Sequence, residues 1–338
     1  MRIAVLYEPS DNVTPVPKRR ENPLPGTRRK RAKRTKHDRE HVAEALREAG
    51  HDAFLHELSG EKSLLALASL EADLVFNLVE AYEGDDLKEA HVAAFLDLLD
   101  LPFTGAGPHA LFLAQDKVLA KKLFTFHGIK TPQFATSYRG KVEHIDDLDF
   151  PLMVKPASED GSVGIDSGSV VHSMKELMER VSLLQERFHC PALIEEYIEG
   201  REIYVGVLGN DTPEALPAVE IDLSKLPKGM PRIAGREVKW EKGTEAYDCT
   251  KAVVADVQGE LRERILQTAL AVYRVLELRD YARIDLRVTP EGEIFVIEAN
   301  PNPWLAPEAE LAIAAAQAGR TYPQLIGEIA RLASERYV

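Results

Sequence analysis

The apolar run Ile294-Phe295-Val296-Ile297 leads directly into Glu298-Ala299-Asn300-Pro301-Asn302-Pro303. A carboxylate and two amides leaving a buried strand so close together make a rigid set of oxygen ligands, the kind that hard Mg²⁺ prefers. Arg283-Ile284-Asp285-Leu286 repeats the arrangement on an earlier apolar stretch. A turn at Gly292 would make the two stretches a hairpin and bring Asp285 to face Glu298. That pair reads as a metal site for a polyphosphate, and the fold must present it to a cleft.

The first hundred residues alternate strand and helix signals: Ile3 to Tyr7, His37 to Ala49 ended by Gly50, Ala53 to Leu58, Leu64 to Leu70, Leu74 to Val79 and Asp86 to Leu99. Such alternation predicts a doubly wound parallel sheet flanked by helices, an α/β unit over residues 1–107. From Pro108 the pattern changes to helices ending at Gly128, then a strand from Gln133 to Ser137 and another from Pro151 to Pro156. A helix from Ser173 to Phe188 precedes three strands, Ala192 to Ile198, Glu202 to Leu208 and Leu216 to Leu223. Apolar positions Leu261, Ile265, Ala269, Val272 and Leu276 predict an amphipathic helix packed on them. These segments divide as two α+β units, 108–189 and 190–338.

Within the first unit, residues 18–39 hold eleven Lys/Arg against Glu21 and Asp38, a local +9 in a chain of net charge −13. The segment reads first as a solvated, mobile loop, second as a lid over an anionic substrate and third as a nucleic-acid arm. It lacks the interleaved aromatics of a single-strand binder, so nucleic acid is disfavoured as a partner. Cys190 and Cys249 offer neither a disulfide framework nor a zinc cluster. The opening strand is too short for a signal peptide and no stretch approaches a membrane span, so a cytoplasmic protein is expected.

Several constellations suit an anionic ligand. Lys155 ends the strand Leu152-Met153-Val154, where a lysine is costly to bury unless an anion meets it. Gly161-Ser162-Val163-Gly164 follows and can bring backbone N–H groups close to phosphate oxygens. Lys117 and Lys121 share a helix face, which on its own reads as solvated. Glu195-Glu196-Tyr197-Ile198 and Glu202 flank a connection whose backbone can read a base edge, or they are simply acidic edge residues. Arg283 lies on the same strand face as Asp285 and can stabilise charge in a transition state.

In this order, Asp116-Lys117, Met153-Val154-Lys155-Pro156, the Gly161 loop, Glu195 to Glu202, Arg283-Ile284-Asp285 and Glu298-Ala299-Asn300 resemble the ATP-grasp superfamily, and within it the D-alanine:D-alanine ligase branch. Glu83-Gly84-Asp85-Asp86 and Leu101 to Gly105 resemble that branch's first domain, and Tyr322 to Ile326 its C-terminal helices. The resemblance implies an ATP-grasp fold with two α+β subdomains enclosing ATP, and an ATP-dependent carboxylate–amine ligase working through an acyl phosphate. It implies that Lys117 and Lys155 contact phosphates, that Gly161 and Ser162 cover them, and that Glu195, Tyr197 and Ile198 read adenine while Glu202 reads ribose. Lys239 corresponds to a lysine near the γ-phosphate. Arg283, Lys239 and Ser162 are then catalytic, and Asp285, Glu298 and Asn300 hold two Mg²⁺ ions, with Mn²⁺ as a substitute. A homodimer acting on a small carboxylate and a small amine is expected.

Three departures bear on substrate. After its first strand the family has a Gly-rich turn and a glutamate for the first D-alanine's amino group, whereas this chain has Leu6-Tyr7-Glu8-Pro9-Ser10. Gly161-Ser162 stands where two serines are usual. Pro301-Asn302-Pro303-Trp304-Leu305-Ala306-Pro307-Glu308-Ala309 replaces a serine-rich turn whose last serine holds the acceptor carboxylate. Trp304 and Glu308 thus become candidate substrate residues, and an altered substrate site is expected. The alternatives are a true D-alanine:D-alanine ligase and a nucleotide-binding protein with a basic interaction arm.

Overall fold

The computed structural model describes residues 1–9, 37–138, 141–143, 145–159, 161–227, 229–239, 244–248 and 250–337. Residues 18–36 of the basic segment lie outside the described residues, as do Ser10, Asp160, Trp240 and Cys249.

The chain begins with β1 (Arg2–Tyr7), α1 (Asp38–Glu48), β2 (Asp52–Glu57), α2 (Glu61–Ala66), β3 (Leu74–Asn77) and α3 (Glu89–Leu98). The strands pair in parallel in the order β2-β1-β3. Ile3 to Leu6 and Leu74 to Phe76 are buried without interruption, as parallel strands covered on both faces must be. The outer strand β2 alternates instead.

Next come α4 (Pro108–Gln115), α5 (Lys117–Phe126), β4 (Phe134–Tyr138), β5 (Lys141–Glu143), β6 (Leu152–Pro156), β7 (Val170–Val171), α6 (Met174–Phe188) and β8 (Ala192–Glu196). An antiparallel sheet runs β5-β4-β8-β6-β7, so the second sheet takes in a strand beyond residue 189. Leu177, Val181 and Leu184 of α6, on one helical face, pack on Leu152, Val154 and Ile194.

The third sheet is built from β9 (Arg201–Leu208), β10 (Glu214–Ala215), β11 (Val219–Ile221), β12 (Ala252–Val254), β13 (Tyr281–Val288) and β14 (Ile294–Asn300). Its order is β12-β11-β9-β13-β14, with β10 added to β9. Between β11 and β12 lie the short helices α7 (Arg236–Lys239) and α8 (Glu245–Asp248), and α9 (Gly259–Val275) covers the sheet through Ile265, Ala269 and Val272. The expected strand from Leu216 shortens to β11, since Pro217 has no N–H to extend a ladder. Strands of two or three residues such as β7 and β10 are too short for alternation to reveal.

The chain closes with α10 (Glu310–Gln317) and α11 (Tyr322–Glu335). Leu325, Ile326, Ile329 and Ala333 of α11 join Val42 and Leu46 of α1 in one core, each large side chain contributing about 1.5–3 kcal/mol. Polar groups fasten the first unit to the third. Asp280, fully buried, accepts from Gly105 N at 2.8 Å and from Arg336 Nε and Nη2 at 2.9 and 2.8 Å. Gly105 has φ +88°, and a Cβ there would lie 2.3 Å from Asn302 Oδ1. Asn302 accepts from Ala106 N at 3.0 Å and donates to Glu89 at 2.8 Å, so the second amide after Glu298 serves this junction and not a metal.

Candidate active site

The hairpin forms as its turn residue demands. Gly292, at φ +81°, donates to Thr289 O at 2.9 Å, and β13 and β14 pair antiparallel with Asp285 opposite Glu298 and Arg283 opposite Asn300. The register shifts after Asp285, where Leu286 pairs with Val296 and Ile297 is the extra residue. Val296 and Glu298 would share a face in a regular strand. The bulge separates them, leaving Val296 fully buried and Glu298 on the wall of the cleft.

Asp285, Glu298 and the Asn300 amide are hard oxygen donors at one end of this hairpin. Among the described residues, Asn300 Nδ2 is buried without a hydrogen-bond partner. The donor set fits Mg²⁺, with the remaining positions left to phosphate and water.

Around the donors, buried charges are already matched. Lys117, 4% exposed, lies 3.0 Å from Glu298. Burial alone would raise the Glu298 carboxyl, yet the ammonium groups of Lys117 and Lys155 overcome it and hold it at about 2. Glu195, 3% exposed, sits between two lysines, with Lys155 at 2.8 Å and Lys121 at 2.9 Å. Lys121 also donates to Thr131 Oγ1 at 2.6 Å. Burial pulls the Lys121 ammonium down to about 8 in spite of Glu195. The solvated face that the segment suggests when read alone does not form: Asp116 caps α5 by accepting from Leu119 N, and the helix turns both lysines inward. Their counter-charges come from strands remote in sequence.

The cleft, about 650 Å³ and open to solvent, lies between the second and third sheets. Lys155, Ser162, Glu195, Tyr197, Ile198, Glu202, Lys239, Asp285 and Glu298 all line it, together with Met153, Leu286 and Ile297. The glycine loop is held from behind. Gly164 has φ +72°, and a Cβ would come within 2.6 Å of Pro156, while Arg180 donates to Gly164 O at 2.7 Å and pairs with Asp166. Gly161 and Ser162 also have positive φ, and Ser162 Oγ donates to Ala234 O at 3.0 Å across the cleft. Lys239, at the end of α7, lies 5.3 Å from the ring centre of Tyr204.

Glu202 accepts from Arg287 Nη2 at 2.7 Å, Tyr204 Oη at 2.5 Å and Ala234 N at 3.3 Å. Burial works against its ionisation, but Arg287 and Lys239 depress its pKa. Arg287 was not singled out from sequence, although it follows Asp285 by the same two-residue step that separates Asp285 from Arg283.

Arg283 and the later turn sit to one side. Arg283 donates to Asp285 through Nε at 2.7 Å and Nη2 at 2.9 Å, and to Glu310 through Nη1 at 3.2 Å. Glu310 carried no signal in the sequence. Trp304 is half-buried, its indole N–H donating to Asp38 of α1, and Glu308 is exposed. Neither is among the residues that line the cleft.

Comparison with known proteins agrees with this architecture. The family model described as D-ala D-ala ligase C-terminus matches residues 122–331. An uncharacterized protein, y4sG, of Sinorhizobium fredii is 36% identical over 88% of this chain and 87% of its own length. A D-alanine–D-alanine ligase of Aquifex aeolicus is 35% identical over 85% of this chain and 91% of its own. In fold, the D-alanine–D-alanine ligase of Bacillus anthracis, solved in complex with ATP, superposes with a TM-score of 0.74 at 22% identity, covering 100% of this chain and 98% of that one. The chain belongs to the D-alanine–D-alanine ligase family of ATP-grasp proteins.

Proposed function

We propose that the protein is an ATP-dependent carboxylate–amine ligase with a substrate site different from that of the D-alanine ligases. The observation that carries the reading is the single cleft in which Lys155, Ser162, Glu202 and Lys239 share walls with Asp285 and Glu298.

A carboxylate is a poor electrophile until one oxygen becomes part of a leaving group. The substrate carboxylate takes the terminal phosphoryl group of ATP, the phosphorus–oxygen bond to ADP breaks, and an acyl phosphate results. The amine nitrogen then bonds to the acyl carbon, phosphate departs with the carbon–oxygen bond's electrons, and the amine loses a proton. Lys117, Lys155 and Lys239 bind the phosphates, Tyr197 and Ile198 border the base, and Glu202, fixed by Arg287, receives the ribose hydroxyls. Glu195 acts as counter-ion to Lys121 and Lys155, holding them in place, which replaces the adenine contact expected from sequence. Asp285, Glu298 and Asn300 would hold Mg²⁺, which would neutralise phosphate charge. Arg283 stabilises the oxyanion of the tetrahedral intermediate. The Gly161–Gly164 loop keeps water from the acyl phosphate.

A D-alanine:D-alanine ligase is the second reading, favoured by the names of relatives such as that of Aquifex aeolicus. Against it stand Ala309 in place of an anchoring hydroxyl and the Trp304-containing turn. An ADP-release screen of paired acids and amines, with D-alanine included, separates the two. Efficient D-Ala-D-Ala synthesis would remove the altered site, and no ADP release with any pair would remove the ligase.

A further inference from the structure

We infer that Glu310 determines acceptor specificity: it holds the chain's own carboxylate beside Arg283, next to where the acceptor amine would attack, so the preferred amine carries no free carboxylate beside its nitrogen. The inference rests on the ligase reading above.

Arg283 is 12% exposed and its planar guanidinium is held on three sides. Asp285 takes Nε and Nη2, Glu310 takes Nη1, and the ring centre of Tyr204 lies 4.9 Å from the guanidinium carbon. Glu310 is the first residue of α10, and Ala309 at its N-cap makes no side-chain cap. An uncapped helix start beside a guanidinium combines N–H groups that no side chain caps with fixed positive charge, which together favour a carboxylate. Here the carboxylate comes from the chain itself. Its side chain is only 17% exposed, so water screens it weakly.

A second carboxylate brought to this point would meet Glu310 as a like charge and find Nη1 already engaged. An acceptor with an amide or only a hydrocarbon in that position avoids both penalties. The departure noted from sequence at Ala309 removes a hydroxyl, whereas Glu310 adds repulsion. Glu308, the acidic candidate substrate residue from sequence, is exposed.

The test uses the full chain with ATP, Mg²⁺ and a panel of small donor acids, each combined with matched acceptors: D-alanine and D-alaninamide, L-alanine and L-alaninamide. ADP release gives kcat/KM, and calorimetric titration of the same four acceptors onto the ADP-Mg²⁺ form gives affinity without turnover. The amide of at least one pair should exceed its acid by about 10-fold or more in both measures. Glu310→Gln should narrow that ratio several-fold with the KM for ATP unchanged, and Glu310→Ala should do the same if the glutamine variant folds poorly. A loss of fold alone would not move the acid-to-amide ratio. Equal use of acid and amide by the wild type, an unchanged ratio in both variants, or binding of none of the four overturns the inference. Absence of ADP release from every pair overturns the ligase reading instead, and the titration then decides the role of Glu310 by itself.

Discussion

The cleft wall built from α5, β6 and β8 differs from the turn between Asn300 and α10 in how each uses its polar groups. In the wall, lysines meet carboxylates: Lys117 and Lys121, buried behind the cleft lining, pair with Glu298 and Glu195, and Lys155 pairs with Glu195 on the lining itself. In the turn, they are committed elsewhere in the chain: Asn302 to Ala106 and Glu89, Trp304 to Asp38, and Leu305 O to the Tyr322 hydroxyl. A paired lysine can exchange its carboxylate for a phosphate without passing through an uncompensated buried charge. The turn has no such freedom, because moving it would unfasten the first unit from the third. The wall is thus suited to ligand exchange and the turn to fixed shape.

The comparison breaks most directly at Glu298. Glu298→Gln should lower kcat by on the order of 10³-fold while circular dichroism shows the fold retained, and near-normal turnover would remove the metal assignment. Glu298→Ala is a poorer test than the sequence suggests, since it removes the whole side chain that lies 3.0 Å from buried Lys117, where the glutamine keeps the shape. Glu298 also gives the wall a pH signature. Its folded pKa, about 2, lies below the ordinary 4.5, so its stabilisation of about 3 kcal/mol is in place above pH 4.5 and is lost as pH falls toward 2. Acid unfolding compared between wild type and the Gln variant measures the difference.

Lys121→Met comes next, with an expected loss of about 3–5 kcal/mol in denaturant unfolding, because it strips Glu195 of one of two cations in a fully buried place. Between pH 8 and 10.5 the unfolded chain binds the more protons at this lysine, so wild-type stability relative to the variant should rise with pH across that window. A flat difference would contradict the inward lysine. Arg287→Met should raise the KM for ATP roughly 10-fold with a smaller change in kcat, since it frees Glu202 without touching the metal donors. Discrimination between ATP and 2′-deoxy-ATP should weaken in parallel. Smallest is Asp38→Ala, which cuts the turn's tie to α1 and should cost about 1–2 kcal/mol of stability, leaving the KM for ATP unaltered. A shift in nucleotide affinity there would mean that wall and turn are coupled.

Much of the wall was legible in the sequence because its residues sit on strand ends whose apolar neighbours announce them. Lys155 follows a buried triplet, Asp285 and Glu298 each end an apolar run, and the glycine loop is visible by composition. Partnerships were not legible. Glu195 with Lys121, Glu202 with Arg287 and Arg283 with Glu310 join elements distant in the chain, and no local period encodes which carboxylate meets which cation. The same limit explains why the Lys117 and Lys121 face, read alone, looks solvated until β8 and β14 are placed against it. Strands such as β7 and β10 were missed for want of length, and nothing local in the sequence marks Glu310 as the partner of Arg283.

The extra residue in β14 gives the molecule a tuning position. Ile297 lines the cleft yet stands outside the ladder that pairs Val296 with Leu286 and Glu298 with Asp285. A smaller or larger side chain at that one position can therefore reshape the cleft while Asp285 and Glu298 keep their places in the ladder, so natural drift or deliberate engineering can retune it without rebuilding the hairpin.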